Sequence, residues 1–303
     1  MPQTVLITGG TGMVGRRLTT LLQKKGYQVA YLSRKQVSVP DVKVHYWDLA
    51  KGQIDEKALL QADYLVHLAG AGIADERWTS SRKKEIIDSR TKSIELIAKC
   101  LQSHPHFQIK AFVSASAIGF YGADTGDRHL HEAMPSGSDF LASVVRHWEN
   151  ASELVANVGI RTTKLRIGVV LSKEGGALPK IAQPVRLGVG APLGSGKQWL
   201  SWIHIDDLCQ MFIHALENPS WQGVYNAVAP TPVTNRELTR HIAKIVGRPL
   251  WLPSVPAFVL RAAFGEMADV VLGGSYVLNE RIAQETDFKY QFPDIDIALT
   301  DLL

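Results

Sequence analysis

Short apolar runs alternate along the chain with longer amphipathic stretches. Six runs rich in β-branched residues have the length of buried strands, at 4–8, 28–33, 43–47, 63–69, 110–115 and 162–170. Apolar positions with helical periodicity separate several of them, at about 13–25, 82–103 and 139–158. This alternation predicts an α/β fold with a Rossmann-type, doubly wound parallel sheet. Ligands of such sheets bind at the carboxyl ends of the strands.

The alternation stops after Leu171. Gly- and Pro-rich segments follow, and then a helix from about Ile205, a strand at 223–228 and a helix after Thr234. We therefore predict two interlocked units. The larger is a sheet domain of residues 1–170 plus about 203–228, and the smaller is a C-terminal lobe of about 171–202 plus 229–303.

A glycine-rich sequence, TGGTGMVG, follows the first strand and opens the first helix. In this context Gly9 makes a tight turn, Gly12 lets the backbone approach a pyrophosphate, and Gly15 lets the helix pack on the strand. The helix N-terminus adds free N–H groups and the positive end of its dipole. We predict a dinucleotide site formed by these glycines with Met13 and Val14.

The residues after the second strand indicate which dinucleotide binds. An NAD site usually has Asp or Glu there, whereas this strand ends in Ser33, Arg34 and Lys35. A carboxylate would repel a 2′-phosphate, and a guanidinium can bind it with two hydrogen bonds. We predict NADP(H); the alternative is that Arg34 is a solvated loop charge. Asp48, after the third strand, is a candidate for the adenine edge or, equally, a turn residue.

Composition excludes several classes of partner. The chain has 303 residues, 46% of them hydrophobic and 20% charged, enough for a full core. Its formal net charge of +4 comes from scattered Lys and Arg, so we expect no nucleic-acid partner. We expect a small-molecule substrate and a monomer or homodimer.

Cysteine usage and the apolar stretches indicate a compartment. Cys100 and Cys209 fit no metal-ligand spacing and are too few for a disulfide framework, so we predict a reducing, cytoplasmic environment and no metal. The stretch 255–264 is too short to span a membrane, and no membrane partner is expected. We expect residues 257–264, with Trp251 and Trp221, to pack within the small lobe, and the alternative is that they bind an aromatic ligand.

Several segments resemble, in their order, the extended short-chain dehydrogenase/reductase superfamily. They are TGGTGMVG, VHLAGAG (66–72), FVSASAIGFYG (112–122), LRIGVVL (165–171), WIHIDDL (202–208) and VYNAVAPTPVTNREL (224–238). Segments 72–90, 140–149 and 255–274 are similar to epimerase-family proteins, an atypical branch. The resemblance implies a two-lobed Rossmann protein that binds NADP(H), has a C-terminal substrate lobe, and places Leu68, Ala69 and Gly70 at the cofactor.

The chemistry of that superfamily uses a Tyr and a Lys four residues later on one helix face. The Lys lowers the phenol pKa, and the Tyr exchanges a proton with the substrate. The predicted helix 139–158 contains neither residue, and no Tyr occurs between Tyr121 and Tyr225. Depending on the register, the pair is replaced by Leu141 and Val145 or by Val144 and Trp148.

Three residues are candidates for the missing proton transfer. Ser116 is one, although the superfamily's Ser position falls on Ser116 or Ala117. Tyr121 lies in a segment that resembles the nicotinamide side of relatives, and its alternative role is packing. Glu149 lies one turn beyond the vacant pair, and its alternative is a solvated helix charge. Ser89 matches a helix position that carries Asn in relatives.

Basic and polar residues near strand ends are candidates for binding an anionic substrate. Arg77, Arg82 and Lys83 follow the fourth strand, and a solvated helix face explains them nearly as well. His204, at a strand-to-helix junction, is a further candidate for binding substrate or for exchanging a proton, and bonding to the backbone is its other role.

Neighbouring residues have structural interpretations. Thr79, Ser80 or Ser81 is expected to cap the helix near 82, and Asp206 or Asp207 the helix that follows His204. We expect Arg166 to extend its charged end to solvent.

Two hypotheses remain from the sequence. The first is an NADP-dependent oxidoreductase or epimerase with a non-standard proton donor, acting on a small, anionic or nucleotide-sugar-like substrate. The second is a catalytically silent NADP(H)-binding protein that reports redox state to a partner. The glycine-rich turn and Arg34 support the first, and the missing Tyr and Lys support the second.

Overall fold

The computed structural model describes residues 2–303. The strands are β1 (Thr4–Thr8), β2 (Gln28–Ser33), β3 (Val42–Asp48), β4 (Gln53–Ile54), β5 (Tyr64–His67), β6 (Ala111–Ala117), β7 (Gly126–Leu130), β8 (Arg161–Ile167), β9 (Val169–Leu171), β10 (Trp199–Leu200), β11 (Trp202–His204), β12 (Gly223–Ala227), β13 (Val233–Thr234) and β14 (Ser275–Val277). The helices are α1 (Met13–Lys24), α2 (Glu56–Leu60), α3 (Ser80–Ser103), α4 (Phe140–Ala156), α5 (Ala177–Arg186), α6 (Ile205–Glu217), α7 (Asn235–Ile245), α8 (Ala257–Phe264), α9 (Asp269–Leu272), α10 (Glu280–Glu285) and α11 (Ile295–Leu302). Single 3₁₀ turns lie at Ile118–Tyr121 and Gly265–Ala268.

The predicted parallel sheet is confirmed. Its eight strands lie in the order β12, β8, β6, β5, β1, β2, β3, β4. Neighbours are parallel except β3 and β4, which form an antiparallel pair. The chain runs outward from β1 to β3 and then returns to β5 on the other side of β1. The strand order therefore reverses between β1 and β5, which is where sheets of this kind bind ligands.

Helices cover both faces of the sheet. Helices α1 and α6 pack together on one face, and α3 and α4 pack together on the other. In α1 the apolar positions Leu18 and Leu22 are fully buried, and in α3 Ile94 and Ile97 are. Both faces are covered, so β1 is apolar along its centre without alternation.

The strand predicted at 162–170 is interrupted. It divides at Gly168 into β8, which joins the main sheet, and β9, which pairs with β11. A Cβ on Gly168 would lie 2.4 Å from the Ser201 carbonyl oxygen, so the chain turns where another backbone approaches closely. The pattern of apolar residues along one strand does not reveal where a second backbone approaches it.

A second apolar core lies in the C-terminal part. It joins α5, α7 and α11 around Leu178, Trp202, Leu238 and Leu299. Trp221 instead packs in the main core, where it stacks on Tyr225. Within residues 2–303, no helix combines the length and the apolar character that crossing a bilayer requires.

The predicted cap of α6 is wrong. His204 caps this helix, because its Nδ1 accepts the N–H of Asp206 at 3.1 Å. Asp206 instead pairs with Arg17. Asp207 accepts backbone N–H groups of residues 291 and 292, which fixes the C-terminal segment against α6.

Candidate functional site

A cavity of about 390 Å³ lies where the strand order reverses. It is bounded by the ends of β1, β2 and β5, and its lining includes residues 9–12, 33–35 and 68–71. Seven predicted site residues therefore meet at one cavity: Gly9, Gly12, Ser33, Arg34, Leu68, Ala69 and Gly70. Ser89 also lines it.

The glycines leave the backbone bare on one side of this cavity. Gly9 has φ +72°, and a Cβ there would lie 2.8 Å from the Ala69 nitrogen. A Cβ on Gly15 would lie 2.6 Å from the Gly10 Cα, so α1 packs directly against the turn. No side chain fits at either position. Residues 9–12, three of them glycine, line the cavity, so a ligand can approach the backbone of this turn.

The electrostatics of the cavity suit an anion. Helix α1 begins at Met13 with no capping side chain and no acidic residue in its first turn. Val14 also belongs to this turn, so N–H groups remain free for a ligand. Across residues 2–303, neither Arg34 nor Lys35 has a carboxylate at ion-pair distance. Two cations without partners thus lie beside a helix N-terminus.

Asp48 lies beside the cavity, not in its lining. Its carboxylate accepts the N–H groups of Ala50 at 3.0 Å and Lys51 at 3.2 Å. The hydrogen bond from Lys51, supported by that from Ala50, lowers the pKa of Asp48 below its usual range. The structure therefore gives Asp48 the turn role.

The three candidate proton-transfer residues belong to one buried hydrogen-bond network. Ser116 Oγ donates to Glu149 at 2.7 Å, and Arg166 donates to both oxygens of the same carboxylate, at 2.8 and 2.9 Å. Arg166 also donates to the Tyr121 hydroxyl at 3.0 Å, and Tyr121 donates to Asn226 at 2.8 Å. All five side chains are buried.

This network corrects two expectations. Glu149 is not a solvated helix charge, and Arg166 does not extend to solvent, because they form a buried ion pair. Burial raises the pKa of Tyr121 above its ordinary value, although Arg166 opposes the shift. The Tyr121 hydroxyl therefore keeps its proton at neutral pH, and its donor and acceptor sites are already used. The network joins α4 to β6, β8 and β12.

The two alternative pairs on α4 have different neighbours. A Cβ on Gly119 would lie 3.5 Å from Leu141 and 3.9 Å from Val145, so this pair faces the 3₁₀ turn after β6. Trp148 instead contacts His67 of β5. Leu141 and Val145 are therefore the residues nearest to the segment that follows the end of β6.

The predicted anion-binding cations are engaged elsewhere. Arg82 is buried and donates to the Gly72 carbonyl at 2.7 Å and to Glu85 at 2.8 Å. Its own N–H is bonded to Thr79, which proves to be the cap of α3.

The other three candidates have protein partners too. Arg77 donates to the Ala263 carbonyl at the end of α8, and Lys83 pairs with Glu266. His204 is 1% exposed; one ring nitrogen caps α6, and the other lies 3.3 Å from Asp301. These contacts bind one part of the protein to another, and they engage all four side chains predicted to bind an anionic substrate.

Sequence reasoning missed Arg90. This buried residue of α3 donates to the Ala71 carbonyl at 3.0 Å and lies 5.0 Å from the Trp148 ring centroid. Burial, with the nearby charge of Arg82, lowers its pKa to about 10. A Cβ on Gly70 would lie 2.9 Å from the guanidinium carbon of Arg90, so Arg90 packs directly against the segment that lines the cavity. The available signal was an arginine on the apolar stripe of α3.

Two family models match the chain. The first is described as the NAD dependent epimerase/dehydratase family and matches residues 5–227. The second is described as a domain of unknown function, DUF1731, and matches residues 255–302.

Relatives match over nearly the whole chain. An epimerase family protein SDR39U1 homolog, chloroplastic, from Arabidopsis thaliana is 39% identical over 99% of this chain and 86% of its own length. A crystal structure of the human epimerase family protein SDR39U1 (isoform 2) with NADPH is 35% identical, covers 99% of both chains and has a TM-score of 0.88. UDP-N-acetylglucosamine 4-epimerase from Bacillus cereus is 18% identical over 99% of this chain and 97% of that one, with a TM-score of 0.79, which shows the shared fold alone.

Proposed function

The chain belongs to the NAD dependent epimerase/dehydratase family, and from that premise we propose that it is an NADP(H)-dependent oxidoreductase or epimerase-type enzyme. Its substrate would be a small molecule, anionic or nucleotide-sugar-like. The two buried free thiols support a reducing compartment such as the cytoplasm.

The cavity at the strand reversal is the observation that carries this proposal. Its bare glycine backbone fits a pyrophosphate, and Arg34 with Lys35 offers the charge that a 2′-phosphate requires. The human relative crystallised with NADPH supports the same choice of dinucleotide.

Each part of the site has a separate task under this proposal. Gly9, Gly12 and the first turn of α1 would hold the pyrophosphate, and Arg34 would bind the 2′-phosphate. When bound, the nicotinamide would accept or donate the hydride. Arg90 would keep the Gly70–Gly72 segment in place beneath the cofactor.

Proton transfer would not use the buried network. Glu149 already accepts three hydrogen bonds, and both Ser116 and Tyr121 donate their protons within the protein. We propose that a water or the substrate itself exchanges the proton. General acid–base groups typically contribute about 10²–10⁴-fold, so turnover should be slow relative to relatives with Tyr and Lys.

A second candidate function has its own supporting observation. Leu141 and Val145 face the turn after β6 with no group that can move a proton. This favours a catalytically silent protein whose NADP(H) occupancy is read by a partner.

One experiment separates the two. The protein is purified without added nucleotide, co-purifying dinucleotide is identified by mass spectrometry, and absorbance of reduced nicotinamide is followed with sugar nucleotides, aldehydes and quinones. Consumption of NADPH by one class supports the enzyme. An epimerase regenerates its dinucleotide, so isomerisation of an offered sugar nucleotide, followed by chromatography, also supports the enzyme. Tight NADPH binding with neither consumption of NADPH nor conversion of a substrate favours the silent protein, and absence of NADP(H) binding contradicts both.

A further inference from the structure

The exposed apolar side chains are concentrated in one part of the surface. Of the twelve large hydrophobic residues that are exposed, eight lie in segments 187–189 and 251–271. We call these eight the apolar patch: Leu187, Val189, Trp251, Phe258, Val259, Phe264, Val270 and Val271. Phe258 is 74% exposed, Leu187 72% and Trp251 68%, so the largest members leave most of their surface in water. Scattered single residues need no explanation, but a concentration of this kind indicates a binding surface.

The segments that carry the patch are bonded to one another. Trp251 Nε1 donates to the Gly188 carbonyl at 2.8 Å, between the two patch residues of the first segment. Backbone hydrogen bonds of 2.9 Å join Val255 to Pro192 and to Gly194, immediately before α8 begins. Gln198 donates to the Val271 carbonyl at 3.0 Å. The segments that carry the patch are therefore held together and do not form two unrelated loops.

Helix α8 presents its apolar side chains outward. Leu260 is its only residue classed as buried, although seven of the eight residues in AFVLRAAF are apolar. Phe258 and Ala262 lie one turn apart on the side opposite Leu260, with Val259 and Arg261 on the flanks. This corrects the expectation that the stretch packs within the small lobe. Trp251, expected there too, is also exposed.

The charge around the patch selects its occupant. Segments 180–198 and 246–272 contain five basic residues and two acidic residues. The basic residues are Lys180, Arg186, Lys197, Arg248 and Arg261. Both acids are matched by bases, Glu266 by Lys83 and Asp269 by Arg261. The basic residues of these two segments exceed the acidic ones by three, and we call the five bases the basic rim.

We propose that the apolar patch docks this protein on an anionic lipid bilayer surface. Phe258, Trp251 and their neighbours would enter the boundary between headgroups and acyl chains, and the basic rim would contact the anionic headgroups. A second copy of the chain fits less well, because a two-fold interface would oppose two patches of the same positive charge. The proposal departs from the sequence expectation of no membrane partner and requires no spanning segment.

The docking surface is linked to the chain segment that follows the cavity lining. Arg77 and Lys83, which follow the segment 68–71 that lines the cavity, hold the end of α8 and the turn after it. NADPH binding and lipid binding can nevertheless be measured separately, so each proposal can fail without the other.

Vesicle flotation tests the proposal. The full chain is mixed with vesicles of phosphatidylcholine alone or of phosphatidylcholine with phosphatidylglycerol. We expect binding to the anionic vesicles only, weakened at high salt. Phe258→Glu should lower the vesicle partition constant about tenfold or more, because burying one aromatic side chain contributes about 1.5–3 kcal/mol. The matched control is Ile297→Glu, since Ile297 is 52% exposed on α11 outside the patch.

A spectroscopic readout locates the contact. Brominated lipids should quench the fluorescence of Trp251 in bound wild type, and Trp251→Phe should lose that quenching while still binding. Equal binding of Phe258→Glu and wild type, or no binding to anionic vesicles, overturns the proposal. So does a concentration-dependent dimer in sedimentation velocity that Phe258→Glu abolishes, since the occupant is then a second copy.

Discussion

The candidate cofactor cavity and the buried network on α4 lie at neighbouring strand ends, but their charged side chains differ in whether they have ion-pair partners. At the cavity, Arg34 and Lys35 have no carboxylate partner in the described chain and lie beside empty space. In the network, Arg166 and Glu149 are buried and fully paired. The contrast teaches that an unpaired cation in the lining of a cavity points to a ligand, whereas a buried and fully paired charge points to a structural role.

The largest expected effect comes from breaking the buried pair. Arg166→Met leaves Glu149 buried without a counter-charge, which should lower the free energy of unfolding by about 3–5 kcal/mol. Urea unfolding measures the loss. The double variant Arg166→Met, Glu149→Leu should recover most of it, because an apolar pair can replace a buried ion pair. A single variant as stable as wild type would show that the pair contributes little.

A buried histidine beside the network should give stability a pH dependence. Burial lowers the pKa of His67 to about 3, whereas an unfolded His titrates near 6.5. Between these two pKa values the unfolded state binds a proton that the folded state does not bind. The free energy of unfolding therefore decreases as the pH falls from about 6.5 toward 3. The contribution between pH 8 and pH 5 is about 2 kcal/mol. Urea unfolding at both pH values should show a smaller pH effect for His67→Gln, and the exposed His106→Gln should match wild type. Identical pH slopes in all three proteins would contradict the assignment.

The glycine turn should be intolerant of any side chain. Gly9→Ala forces a Cβ to 2.8 Å from backbone at φ +72°, and we expect NADPH affinity to fall about tenfold or more. Gly26→Ala is the matched control, because Gly26 has φ +87° but no atom within 4 Å of its Cβ position. Isothermal titration calorimetry with NADPH should show the lower affinity in Gly9→Ala only. Equal NADPH affinity in both variants would mean that the turn does not hold the ligand.

The smallest effect is expected at Asp48. Asp48→Asn keeps an oxygen for the N–H groups of Ala50 and Lys51, so NADPH affinity should change by less than about twofold. Fluorescence titration of wild type and Asp48→Asn with NADPH measures the two affinities. A tenfold loss would instead restore the adenine contact that the sequence left open.

The parts of the fold predicted from the sequence depend on local pattern. The turn from β1 into α1 follows from apolar periodicity and from glycine spacing within one segment. The structure brings seven of the predicted cavity residues together because they occupy the ends of neighbouring parallel strands.

The errors arose where a distant partner decides the outcome. Glu149 and Arg166 are 17 residues apart on different elements, and nothing local shows that they pair. Asp206 and Asp207, the predicted caps of α6, instead bind Arg17 and the backbone of residues 291 and 292, and His204 is the cap. The apolar sequence of α8 predicts burial, but no segment of the described chain covers its outer face.

Paired titrations of NADPH and NADH test the central claim most directly. The proteins are wild type, Arg34→Ala and Lys43→Ala, the last removing one exposed positive charge away from the cavity. A hydrogen bond to a charged group contributes about 1.5–3 kcal/mol, so Arg34→Ala should weaken NADPH about 10- to 100-fold and leave NADH nearly unchanged. Lys43→Ala should alter neither. Equal weakening of both dinucleotides by Arg34→Ala, or of neither, would contradict the assignment of this cavity to NADP(H).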